Sequence, residues 1–185
     1  DPTGLCLSFR WGEGAEDDRL PIHLLAGLPR PQTARKILEQ AATIGVTSMD
    51  FFGADKGEPS YVDSKLWTTD EWRRHLVRGV EQAFCSFLPE VRHHANLAEA
   101  LAELPQDIRR LALDVYEAKD PLSVADANAT TAPAVLALGP ERGWSGRERN
   151  LLRDTSFEFR HLGSRVLRQE TACIAALGIL ASRHW

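Results

Sequence analysis

The run AVLAL at Ala134–Leu138 carries no polar side chain and is followed at once by Gly139, Pro140, Glu141, Arg142 and Gly143. A strand apolar on both faces must be covered on both faces, which points to a parallel sheet held between helices. The rest of the chain repeats the alternation. LPIHLLAGL (20–28) reads as a strand ended by Gly27 and Pro29. Ala34, Ile37, Leu38, Ala41, Ala42 and Ile44 then recur at three- and four-residue spacing, the pattern of an amphipathic helix, and Gly45 stands where such a helix stops. Val46–Phe52 reads as a strand again.

A polar stretch, GADKGEPS, reads as a surface loop. Thr68 with Glu71 has capping-box spacing, and Trp72, Leu76, Val80, Ala83, Phe84 and Phe87 carry a helical stripe as far as Pro89. Asn96 with Glu99 opens a short helix bearing Leu97, Leu101 and Leu104, and IRRLALDV (108–115) reads as a strand. YEAKDPLSVADANATTAP (116–133) is too polar to bury and reads as a long loop, a length usually kept for function or motion. Alternating strands and helices predict an α/β domain over residues 20–185, a mostly parallel sheet with helices on both faces. In such sheets ligands sit beyond the carboxyl ends of the strands.

Residues 1–19 are glycine-rich and acidic, with alternating Leu5, Leu7 and Phe9 that suit a short edge strand before a solvated loop; they are expected to form an N-terminal arm or the remnant of a preceding domain. The chain opens at Asp1 and its only methionine is Met49, which reads as a fragment or a processed chain. No apolar run is long enough to span a membrane, and no signal peptide is visible. Three dispersed cysteines, Cys6, Cys85 and Cys173, form no CxxC pair, which argues against a disulfide framework or a zinc site and for a reducing, cytoplasmic setting. The net charge of −4 speaks against nucleic-acid binding by bulk charge alone, though not against a local basic surface. His93 and His94 lack a ligand partner and read as solvated surface. Arg73, Arg74 and Arg78 read as the solvated face of their helix, and Cys85 and Cys173 as buried thiols.

After the AVLAL strand, Gly139 and Gly143 let a ligand approach the backbone, and Ser145 with Glu148 forms a capping box that starts a helix with Leu151 and Leu152 inward. On local pattern alone GPERG also suits an ordinary tight turn, since it lacks the lysine of a P-loop and the third glycine of the dinucleotide fingerprint. A second loop, HLGSRVLRQETA (161–172), leaves a strand over 157–162 and enters a helix over 171–182 that is apolar on nearly every side. Such a helix is buried, here against the sheet and a partner subunit. Locally, Arg168 and Glu170 read as an ion pair or cap at its start.

Together, LALGPERGWS and LGSRVLRQETACIAALGIL resemble the C-terminal signature of the ribosomal small-subunit RNA (uracil-N3) methyltransferases, members of the SPOUT, or α/β-knot, class. The family pattern reads approximately GPEGGFS followed by LGxRILRxETA, in the same order and at the same separation. Weaker similarity through LPRPQTARKILEQAATIGV, EQAFCSFLPEV and LALDVYEA extends the resemblance over most of residues 20–183. It implies a deep trefoil knot, S-adenosylmethionine as cofactor, ribosomal RNA as substrate and a homodimer joined through the C-terminal helix, with neither metal nor membrane. By motif position Val115, Leu138, Gly139, Gly143, Leu162, Gly163, Leu167, Thr171 and Ala172 would hold the cofactor. Arg168 would stabilise charge on the base or grip a phosphate. Glu141 would orient the base or its loop, or be structural, and Glu170 and Thr171 would fix the second loop as a helix cap.

This chain departs from the family pattern in places. GPEGG has become GPERG, with Arg142 at a glycine position, and the Glu-Gln-Ser-Gly-Arg segment reads Glu81-Gln82-Ala83-Phe84-Cys85. Lys-Ala-Thr-Glu-Leu-Gly-Val reads Gln40-Ala41-Ala42-Thr43-Ile44-Gly45-Val46, and the Glu-Arg-Ser segment is not recognisable in FFGADKG. Cofactor-side motifs are kept while RNA-side motifs are eroded, so a non-catalytic interaction module stands as the alternative to an enzyme.

Overall fold

The computed structural model describes residues 4–10, 14, 16–128 and 133–184. All seven strands run parallel in one sheet of order β3-β2-β1-β6-β4-β7-β5. The strands are β1 (Leu20–Gly27), β2 (Val46–Phe52), β3 (Glu90–His94), β4 (Arg109–Leu113), β5 (Asp120–Pro121), β6 (Ala134–Leu138) and β7 (Glu158–His161). The apolar run that opened the sequence is the central strand: Leu136 pairs with Leu24 of β1 on one side and Leu111 of β4 on the other. All three leucines are fully buried, each worth about 1.5–3 kcal/mol relative to exposure.

One face of the sheet is covered by α1 (Pro31–Ile44), α3 (Glu71–Gln82) and α7 (Gln169–Ala181). Helix α1 begins with proline at its first position, where no amide hydrogen is needed, and ends at Gly45 in the left-handed conformation (φ 93°). Helix α3 lies so close to it that a Cβ on Gly79 would stand 2.3 Å from the Glu39 carbonyl oxygen. The other face is covered by α4 (Leu97–Ala102) and α6 (Gly146–Asp154), over a second core built from Leu25, Phe52, Leu101, Trp144 and Leu152. Both helices start where their spacing put them, α4 with a one-sided cap at Asn96 and α6 with a full capping box at Ser145 and Glu148. Asn96 accepts from the Glu99 amide at 3.0 Å, and Ser145 accepts from the Glu148 amide at 3.0 Å while the Glu148 carboxylate takes the Ser145 amide at 2.7 Å.

Several expectations need correcting. Leu5, Leu7 and Phe9 form no strand and are exposed; residues 1–3, 11–13 and 15 of the arm lie outside the described residues. Thr68 does not cap α3. It ends the short helix α2 (Lys65–Thr68), and the Glu71 amide is taken by Thr69 Oγ1 at 3.2 Å instead. The α3 stripe stops at Gln82 rather than near Pro89, because Phe84 turns into the left-handed region (φ 57°) with its side chain exposed.

Strand β3 (EVRHH) has one aliphatic residue and was invisible to an apolar pattern. Its polar side chains are satisfied by neighbours: Arg92 Nε and His94 Nε2 both lie 2.8 Å from the buried Asp50 Oδ1. His94 is therefore buried structure, not solvated surface, while His93 keeps an exposed rim. The polar stretch 116–133 is likewise not one long loop. It contains β5 and α5 (Val124–Asn128), drawn in because Asp126 accepts from Arg109 at 2.7 Å and Arg160 at 3.1 Å. Residues 129–132 of that stretch lie outside the described residues. Cys173 is fully buried as expected, but Cys85 is only half-buried, on the loop after α3.

Candidate active site

The loops after β4, β6 and β7 leave the same carboxyl edge of the sheet and enclose a cavity of about 270 Å³. The first loop is a tight turn in which the Gly143 amide donates to the Pro140 carbonyl at 2.7 Å. Gly143 takes the left-handed conformation (φ 71°), so Arg142 needs only ordinary backbone angles, and a bulky residue is tolerated at the family's glycine position. Trp144 closes the turn. Its Nε1 donates to the Leu113 carbonyl at 2.9 Å, tying the first loop to the end of β4.

The second loop turns at Gly163 (φ 96°), whose amide donates to His161 Nδ1 at 3.0 Å. Both loops converge on Gly27 at the end of β1. Pro140 packs so closely that a Cβ on Gly27 would stand 2.8 Å from its nitrogen, and Gln169 Nε2 donates to the Gly27 carbonyl at 2.8 Å. Gln169 Oε1 is buried and has no hydrogen-bond partner among the described residues. A buried acceptor left unpaired costs about 1–3 kcal/mol, so it is a place where a ligand donor gains.

Of the residues expected at a cofactor, Val115, Leu138, Gly139, Gly143, Leu162, Leu167 and Ala172 all line this one cavity. Gly163 shapes the second loop without lining the cavity, and Thr171 is exposed on the first turn of α7. Glu141 lines it, anchored by Arg30 Nε at 3.2 Å and Thr33 Oγ1 at 3.3 Å. Arg168 lies between lining residues Leu167 and Gln169 but is itself exposed and outside the lining. The cap reading of Glu170 and Thr171 is not met: Arg168 occupies the cap position of α7 with no side-chain cap, and Glu170 pairs with Lys36 of α1 at 3.0 Å. Burial pushes the Glu170 carboxyl up, but the Lys36 hydrogen bond and its charge outweigh that and hold it below its usual range.

Sequence reasoning missed Asp114, Tyr116, Trp144, Arg165 and Gln169 in the lining. Asp114 is buried and fixed by Arg149 Nε at 2.6 Å and the Tyr116 amide at 2.8 Å. Its position directly after an apolar strand was the available signal. Gln169 had none, since only the fold brings it to Gly27. Among the described residues, Arg142, Arg165 and Arg168 at this rim have no hydrogen bond or ion pair, whereas Arg149, Arg153 and Arg160 nearby are all paired. No group of three or more His, Cys, Asp or Glu among the described residues is placed to hold a metal, and no helix among them is long and apolar enough to cross a membrane.

This architecture has known counterparts. The model of an RNA methyltransferase domain matches residues 16–181. Ribosomal RNA small subunit methyltransferase E 1 of Borreliella burgdorferi is 31% identical over 177 residues, covering 95% of this chain and 72% of that protein. Ribosomal RNA small subunit methyltransferase E of Treponema pallidum is 33% identical over 171 residues, covering 89% of this chain but only 63% of that protein. The crystal structure of the corresponding Neisseria gonorrhoeae enzyme, bound to S-adenosyl methionine, has the same fold, with a TM-score of 0.79 at 22% identity over 92% of this chain and 70% of that one. With the family pattern running through both site loops, the chain belongs to the RNA methyltransferase domain family.

Proposed function

We propose that the protein uses S-adenosylmethionine to methylate N3 of a uracil in small-subunit ribosomal RNA, acting in the cytoplasm as a homodimer whose C-terminal segment forms a trefoil knot. The observation that carries this reading is the convergence of both motif loops on one cavity at Gly27, where seven of the expected cofactor residues meet. The lining fits the group. Val115, Leu138, Leu162, Leu167 and Ala172 offer apolar walls, while the glycine turns present backbone groups. Gln169 Oε1 offers a buried, unpaired acceptor for a ligand N–H. When bound, S-adenosylmethionine supplies an electrophilic methyl group on a sulfonium.

The chain's own residues have three tasks. The uracil N3–H must lose its proton, N3 must be aligned with the methyl carbon, and charge spreading to the base oxygens must be stabilised. With the cofactor bound, the N3–C bond would form as the S–C bond breaks, the N3 proton passing to solvent water. Arg142 and Arg165, both lining the cavity and free of partners, can meet the base oxygens or the flanking phosphates, and Arg168 at the outer rim extends the same cationic arc. Glu141 is held by Arg30 and Thr33, which suits orientation of the base.

Nothing favours the non-catalytic alternative. Arg142, the bulkiest departure, is exposed at the rim rather than filling the cavity. The homodimer reading rests on α7, where Ile174 and Ala175 are exposed although the helix is apolar. A Cβ on Gly178 would meet nothing within 4 Å in this chain, leaving room for a second helix.

Calorimetry with S-adenosylmethionine and methyl transfer to unmodified small-subunit ribosomal RNA test the reading. Binding followed by 3-methyluridine formation is expected. No binding at millimolar cofactor would sink it, and unimpaired transfer by Arg168→Ala would remove Arg168 from the cationic arc. A monomer by light scattering, unchanged by Ile174→Asp, would remove the dimer.

A further inference from the structure

A second cavity, of about 570 Å³, opens on the same carboxyl edge beyond β1, β2 and β3. Its size lies within the range of small-ligand pockets, about 300–1,000 Å³. His93 lines it with an exposed rim, above a cluster of aromatic rings. The imidazole stacks on Phe51 at 5.8 Å (25° between planes) and meets Trp67 at 4.4 Å, and Phe51 and Trp67 are themselves 5.1 Å apart. Phe51 and Trp67 thus back the imidazole together, and the ring itself is exposed and lines the cavity. Around this platform stand Val62, Asn96 and the Arg147–Asp55 ion pair, which offer apolar contact, an amide and both signs of charge.

The two cavities share a wall. Phe52 lines the second and Trp144 the first, and their rings are stacked nearly parallel (5°) at 5.9 Å. The loop after β2 is fastened to the Trp144 loop. Lys56 Nζ donates to the Trp144 carbonyl at 2.9 Å, Ser145 Oγ donates to Asp55 Oδ2 at 2.6 Å, and the Asp55 amide donates to Glu148 Oε1 at 2.9 Å. The spacing between the cavities is therefore fixed by the fold. Methyl transfer needs reacting atoms about 3–3.5 Å apart, so a base lodged behind two stacked rings cannot be the one that reacts.

We propose that this second cavity receives an unpaired nucleotide flanking the target uridine, its base stacked on His93 and its edge read by Asn96 and the Arg147–Asp55 pair. Proteins that bind single-stranded RNA commonly stack splayed bases on aromatic or histidine rings. The site deepens the functional reading above and rests on it: the cofactor cavity chooses the atom, and the second cavity chooses the sequence context.

The test is steady-state methylation of unmodified small-subunit ribosomal RNA by wild type, His93→Ala, His93→Phe and Val62→Glu, together with RNA binding by fluorescence anisotropy. Loss of one stacked base corresponds to about a 5- to 150-fold weaker interaction, so His93→Ala should raise the RNA Kd and KM by that factor. The loss should fall on KM far more than on kcat, with S-adenosylmethionine affinity unaltered. His93→Phe, which keeps a ring, should recover most of it, and Val62→Glu should weaken RNA without disturbing the aromatic cluster. On an oligonucleotide spanning the methylated uridine, one abasic position beside the target should reproduce the defect in wild type and add nothing in His93→Ala. Wild-type RNA affinity in His93→Ala, equal losses in His93→Ala and His93→Phe, or additive losses at every abasic position would each overturn the subsite. If wild type methylates RNA and His93→Ala behaves like it, the subsite falls and the functional reading stands. If RNA binding depends on His93 but no methyl is transferred, the functional reading falls and the subsite stands. No RNA binding at all removes both.

Discussion

Strands β4, β6 and β7 end in loops whose form is set by backbone: a turn closed on Gly143, a bend at Gly163 and an indole tied to the Leu113 carbonyl. Strands β1, β2 and β3 instead carry a polar network of side chains. Asp50 lies at its centre, with Arg92 and His94 on one side and Ser48 and His23 on the other, the last two joined at 2.8 Å. The backbone loops of the first region shape the first cavity, whereas the side-chain network of the second ties three adjoining strands together beneath the second cavity. Loops built from backbone leave a short, rigid motif behind. A network built from side chains leaves only scattered polar residues that look like surface.

The largest effect that separates the two regions should come from Asp50→Ala. It strands Arg92 and His94 beside a buried cavity, and breaking a buried pair this way costs about 3–5 kcal/mol. Urea denaturation should register that loss, while the protein still folded binds S-adenosylmethionine normally. A parallel loss of cofactor affinity would mean that the two regions are not independent.

Gly27→Ala probes their junction. The added Cβ would press on Pro140 at 2.8 Å, costing about 1–3 kcal/mol by overpacking. Because it shifts the first loop, the rate of methyl transfer should fall by about a hundredfold, the usual penalty for misplacement by an ångström. Stability that drops without loss of rate would show that the loop position is not set at Gly27.

Acid should distinguish the regions next. Burial pushes the Asp50 carboxyl up, but Arg92 and His94 outweigh it and hold it below its usual range. Burial pushes Asp126 up as well, and the Ser123 amide with Arg109 and Arg160 outweighs it. Carboxyls depressed in the folded state contribute stability above their unfolded pKa, about 3.9, and that contribution is lost as pH falls through the folded value. Burial also lowers His23 and His93, so the unfolded chain takes up more protons below about pH 6.5, and stability should begin to decline there. Thermal unfolding across pH 3–8 should show a shallow decline and then a steep one below about pH 4. In Asp50→Ala the steep segment should shrink.

Smaller effects follow from the cationic rim and from the core. Arg142→Ala should reduce the slope of log RNA affinity against log salt by about 0.7, one phosphate's worth for a single strand. An unchanged slope would place Arg142 on the base instead. Cys173 is fully buried and its thiol is pushed up to about 12 by that burial, so a thiol reagent should label Cys6 and spare Cys173 until the protein is unfolded.

Much of the architecture was legible because burial on both faces leaves continuous apolar runs. AVLAL, LPIHLLAG and VTSMDFF each became parallel strands, and the Gly45 stop and the Ser145–Glu148 box formed where their spacing put them. EVRHH failed as a pattern because Arg92 and His94 find their hydrogen-bond partner in Asp50, forty-odd positions away, and nothing local announces such a partner. The segment 116–133 failed for the same reason, its Asp126 being drawn out of solvent by Arg109 and Arg160.

The sequence by itself determined the class of fold, the order of most of its strands and helices, the family, and the two glycine loops that face a ligand, because those depend on periodicity and on backbone freedom within a few residues. Only the tertiary structure decided that both loops meet at Gly27, that Gln169 leaves a buried acceptor beside them, that Arg142, Arg165 and Arg168 stand unpaired at the rim, and that His93 lies on an aromatic cluster behind the Phe52–Trp144 wall. Those arrangements join residues more than a hundred positions apart in some cases, and only the packing of the parallel sheet and its helices sets the distances between them.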